Sequence, residues 1–144
     1  MIVPVCMMLI LAACGSEPDS VVLADEKKAE TIRQYVTEYK AHMIAAANEG
    51  DLKLVEDYLI PNTSFYHSLS SYIEDLHREG TVKELHSFEV GEVYWDQEAA
   101  YFVDVHEEIE LINDNESERI NRNVQFELAE GGDGTFRVVL IVEK

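Results

Sequence analysis

The change of hydrophobic period at Gly80 constrains this chain more than any other feature. Before it, apolar residues recur at three- and four-residue spacing; after it, they alternate with polar ones. A chain that reads helical first and extended later folds as an α+β domain, with its helices segregated to one face of an antiparallel sheet. Ile32, Val36, Tyr39, Met43 and Ala46 place one stripe on a long helix from Glu26 to Asn48, widened by Tyr35. Gly50 ends that helix, and Asp51 caps a short second one that buries Leu52, Val55, Tyr58 and Leu59 before Pro61 stops it. A third helix is expected from about Thr63 to Glu79, with Phe65, Leu69, Tyr72, Ile73 and Leu76 facing inward and Gly80 as its stop.

Four alternating series follow. Phe88 and Val90 share one parity while Val93 and Trp95 share the other, a switch at Gly91 that fits a bulge. Tyr101, Val103, Val105, Ile109 and Leu111 form the second series, closed by the turn Asn113-Asp114-Asn115. Ile120, Val124, Phe126 and Leu128 form the third. The glycine-rich turn from Glu130 to Gly134 then leads to Phe136, Val138, Leu140 and Val142. Short connections make this a meander, and Glu108, Glu110, Arg119, Arg122 and Glu127 are assigned to its wet face.

The chain begins with an apolar run, Met1 to Ala13, that is too short to cross a hydrocarbon core of roughly 30 Å as a helix. It ends in Leu11-Ala12-Ala13-Cys14, small residues at a cut site after an apolar segment, the form of an export signal. This stretch resembles the lipobox of bacterial lipoproteins. The resemblance implies removal of residues 1–13 and a lipid on Cys14, on the outer face of the cytoplasmic membrane. No Lys or Arg precedes the apolar run, which is expected if translation starts further upstream. Residues 14–25, rich in Gly, Ser, Pro and Asp, read as a tether, and residues 26–144 as one domain.

Charge narrows the partners. The formal net charge of −18 lies wholly beyond Cys14 and repels nucleic acid and anionic headgroups. Cys6 leaves with the signal and Cys14 is consumed by the lipid, so neither a disulfide nor a cysteine metal site is expected.

Three helices followed by a curved sheet resemble the cone-shaped nuclear-transport-factor-2-like (NTF2-like) fold. The phrases Ala46-Ala47-Asn48-Glu49-Gly50-Asp51, Val55 to Leu59 and Asn62-Thr63-Ser64-Phe65-Tyr66 narrow the resemblance. They are similar to the extracytoplasmic C-terminal domain of membrane proteins related to the teicoplanin-resistance-associated protein of Firmicutes. The resemblance covers about Ile32 to Lys144. It implies an NTF2-like cone of three N-terminal helices on a curved four-stranded antiparallel sheet, and it brings no catalytic motif with it.

Folds of this shape leave a pocket between long helix and sheet. Tyr39, His42, Tyr66, Asp104 and His106 are the candidate pocket residues, with Asp104 and His106 sharing the strand face of Phe102. His42, His67, His77, His86 and His106 show no metal-binding spacing, and no metal or cofactor is expected. His106-Glu107-Glu108 reads as charged surface. The leading expectation is a non-catalytic lipoprotein domain that binds or supports an envelope protein or wall component. A small-molecule enzyme using a pocket acid and base, and a structural spacer, are the alternatives.

Overall fold

The structure, a computed structural model, describes residues 20–144. The lipobox and Cys14 lie outside the described residues. A two-residue strand, β1 (Val22–Leu23), precedes helix α1 (Glu26–Glu49), two short 3-10 turns (Leu52–Leu54 and Glu56–Tyr58) and helix α2 (Ser64–Glu79). The long strands β2 (Val82–Trp95), β3 (Ala100–Asn113), β4 (Glu116–Glu130) and β5 (Phe136–Glu143) complete an antiparallel sheet in the order β1-β2-β3-β4-β5.

Both helices end as their sequences require. Asp25 accepts from Lys28 N at the start of α1, and Thr63 accepts from Tyr66 N at the start of α2. Gly50 (φ 68°) and Gly80 (φ 71°) close them in the left-handed conformation that glycine adopts without penalty. A Cβ on Gly50 would also overlap the His77 ring, so the end of α1 sits directly on the last turn of α2.

The expected three-helix, four-stranded cone is not what forms. Two helices pack on a five-stranded sheet that is open and not strongly curled. The middle helix is absent because the segment after Asp51 breaks at Val55 (φ −122°, ψ −5°), leaving one 3-10 turn on either side. The extra strand comes from Val22 and Leu23, which pair with Trp95 and Tyr94. The sheet stays open, with β1 and β5 at opposite edges.

The bulge expected at Gly91 is present as a register shift between Val90 and Val93. A second lies between Leu85 and Ser87, and a third, opposite Glu127 and Leu128, reverses the parity of β5. Phe136 and Val138 therefore face the core, but Leu140 and Val142 turn outward, 42% and 37% exposed, and Ile141 packs inward instead. The core lies between the helices and the inner sheet face. Ile32, Val36, Tyr39, Met43 and Ala46 of α1 and Leu69, Ile73 and Leu76 of α2 meet Val93, Val103, Val105, Val124, Phe126, Leu128 and Val138.

Candidate functional site

Four charged residues stand on that inner side, at positions whose neighbours are apolar. Lys40 lies between Val36 and Met43 on the α1 stripe, and Lys83 shares the inner parity of Leu85 on β2. Glu107 falls between Val105 and Ile109 on β3, and Arg122 between Ile120 and Val124 on β4. Lys40, Lys83 and Glu107 are each no more than 3% exposed.

Glu107 organises the group. Lys40 Nζ lies 2.7 Å from its Oε2, and the Arg122 guanidinium, directly across the ladder, lies 3.3 Å from its Oε1. The buried ammonium of Lys40 is the charged partner of Oε2, and the guanidinium of Arg122 that of Oε1. Lys83 Nζ donates to Tyr72 Oη at 3.0 Å and lies 4.7 Å from the ring centroid, and Asn48 grips the Lys83 backbone on both its N–H and its carbonyl. Tyr39 is wholly buried against Phe126, and its hydroxyl has no hydrogen-bond partner among the described residues.

The electrostatics follow from three cations around one carboxylate. Burial works against ionising Glu107, but Lys40, Arg122 and Lys83 outweigh it and hold the carboxyl below its usual range. Burial pulls the Lys40 ammonium down while Glu107 pulls it up, and burial prevails in the direction of the shift. Among the described residues no carboxylate forms an ion pair with Lys83; burial, then the Lys40 charge, bring it down to about 7. Burial also raises the Tyr39 and Tyr72 hydroxyls above the ordinary phenol range.

The sequence-based candidates are dispersed. Tyr39 belongs to the core just described. His42 is exposed, its ring 5.2 Å from that of Tyr58, and Tyr66 Oη donates to Glu56 at 2.8 Å on the helical side. Asp104 and His106 stand together on the sheet face turned away from the helices, where they help line an open hollow of about 500 Å³ with Glu89, Gly91, Asn123 and Lys144. There Asp104 accepts from Gln125 at 3.0 Å, and His106 Nδ1 lies 2.7 Å from Asn123 Oδ1. Sequence reasoning missed Lys40 and Lys83, took Glu107 for surface and put Arg122 on the wet face. The signal that finds all four is a charge at a position of apolar parity.

On the outer face, Glu84, His86 and Glu110 bring one ligand atom each within 4.8 Å of one another, the group of metal-ligand type among the described residues. His86 lies 2.7 Å from Glu110 and holds its carboxyl below the usual range, and the Arg119 guanidinium lies against both. The arrangement is a cross-strand charge network. Among the described residues no acid and base converge on an enclosed cavity, and none forms a catalytic constellation.

Two helices laid on an open antiparallel meander define an NTF2-like α+β domain. Residues 28–142 match the family described as the TcaA protein NTF2-like domain, and the chain belongs to that family. An uncharacterized protein of Alkalihalophilus pseudofirmus is 42% identical over 135 residues, covering 94% of this chain and 88% of its own length. Among solved structures, the intermembrane space region of the chloroplast protein ARC6 superposes with a TM-score of 0.65 over 80% of this chain and 95% of that one, at 13% identity. A protein of Catenulispora acidiphila, solved in one structure in complex with S-DNPA, superposes with a TM-score of 0.54 over 79% of this chain and 92% of its own, also at 13% identity. At that identity the two structures share the fold alone.

Proposed function

We propose that this chain is a non-catalytic extracytoplasmic module, held at the outer face of the bacterial cytoplasmic membrane by a lipid on Cys14, that binds or supports another component of the envelope. The observation that carries the non-catalytic part is the filled interior. The space between α1 and the sheet, which this fold offers to a ligand, is occupied by Tyr39, Lys40, Lys83, Glu107 and Arg122. An enzyme would need two ionisable groups converging in an enclosed cavity. Asp104 and His106 instead bond to neighbouring amides in an open hollow, which suits contact with a partner's surface.

Photocrosslinking from position 106 in intact cells tests the binding role. The expected result is capture of one envelope component, abolished by bulky substitutions of Asn123. Capture indistinguishable from a probe placed at exposed Glu74 would leave only a spacer. The anchor has its own test. Cys14→Ser should release the domain from membranes, and unchanged retention with no lipid found by mass spectrometry would refute the assignment.

A further inference from the structure

Val21, Val22 and Leu23 are three consecutive apolar residues that are 38%, 43% and 61% exposed. Such an exposed run disfavours a soluble surface unless something covers it. It lies at the edge of the sheet, where Val22 faces Trp95 and Leu23 faces Tyr94 across the ladder. Trp95 stacks at 6.4 Å on Tyr101, which is buried in the core, so the partly exposed indole backs the apolar run with a ring of the kind that settles at a membrane–water interface.

The chain length fixes the occupant. Val21 follows Cys14 by seven residues, which span at most about 25 Å even when fully extended. A domain tethered by a lipid there carries this edge within reach of the headgroup layer at all times. We infer that the edge formed by Val21–Leu23, Tyr94 and Trp95 is a membrane-contact surface that rests in the bilayer interface and orients the domain on its anchor. The inference builds on the lipid anchor proposed above. Asp25 lies two residues after the run and Asp96 and Glu98 follow Trp95 in sequence, so contact is strongest on zwitterionic lipid and weaker on anionic lipid.

Trp95 is the only tryptophan of the chain and stands at the proposed contact, which makes it the reporter. The lipidated chain is reconstituted in phosphatidylcholine vesicles with brominated acyl chains, and Trp95 emission is read against unbrominated vesicles. In parallel, residues 14–144 carrying a free Cys14 thiol are coupled to a maleimide-headgroup lipid in the same vesicles. Quenching of about twofold is expected in both, falling to near the unquenched level in the triple variant Val21→Ser, Val22→Ser, Leu23→Ser while vesicle retention is unchanged. Absence of quenching in the coupled chain, or quenching that survives the triple variant, overturns the inference. So does sedimentation showing a dimer that the triple variant dissolves, since a second copy would then be the occupant. Mass spectrometry of Cys14 from cells judges the anchor separately: a chain without lipid that still quenches when coupled defeats the anchor and not the contact edge.

Discussion

His106 and Glu107 are neighbours in sequence and stand on opposite faces of β3, and their surroundings differ in kind. His106 meets an amide at the rim of an open hollow, where water remains an alternative partner. Glu107 is 2% exposed and meets an ammonium and a guanidinium. The polar face tolerates loss because solvent replaces what is removed. The inner face does not, because a buried charge without its partner costs several kcal/mol.

The largest effect that sharpens this contrast is Glu107→Gln, which strips the counter-charge from buried Lys40 and from Arg122. Urea unfolding should show a loss of about 3–5 kcal/mol. A loss below about 1 kcal/mol would break the contrast. Replacing the pair together, Lys40→Met with Glu107→Leu, should recover part of that loss, because no buried ammonium is left without its counter-charge, while Arg122, 28% exposed, loses its carboxylate but keeps access to water.

Lys83 gives the second effect. Burial brings the folded ammonium down to about 7, while in the unfolded chain the lysine keeps its ordinary value of 10.5. Between those values the unfolded state binds more protons, so stability rises with pH and is flat, at its lower level, below pH 7. The expected slope is about 1 kcal/mol per pH unit, read from denaturation midpoints between pH 7.5 and 9.5, and Lys83→Met should flatten it. A falling slope in that window would contradict the buried cluster.

Two smaller effects complete the series. Tyr39→Phe removes a hydroxyl that has no partner and should stabilise by about 1 kcal/mol in thermal unfolding. His106→Ala should cost only about 0.5 kcal/mol by the same measurement, and a cost equal to that of Glu107→Gln would erase the distinction between the faces.

Local rules made much of the architecture legible. The α1 stripe, the αL stops at Gly50 and Gly80, the Gly91 bulge and the separation of helices from sheet all depend on neighbouring residues. What failed depended on distant ones. Leu140 and Val142 continue the alternation of Phe136 and Val138 in sequence, and only pairing with β4 shows the bulge that turns them outward. Residues 51–60 have helical spacing but lack the length to propagate a helix, so tertiary packing leaves them as two 3-10 turns. The members of the internal charge network were legible one by one, but not their meeting. Each of the four charges breaks the apolar pattern of its own element, but only the fold brings Lys40 and Arg122 onto Glu107.

The brevity of β1 has a mechanical consequence. A pull on the chain ahead of Ser20 is borne first by the pairing of Val22 and Leu23 with Trp95 and Tyr94 and by the Ala24 N–H bond to Val93. Loaded from its end, such a strand peels one bond at a time, so β1 yields at low force while α1, clamped against the sheet by its buried stripe, stays in place. An optical-tweezers trace should show this as a small, reversible early extension before the domain unfolds. The strand acts as a shock absorber between whatever holds the N-terminal segment and the core.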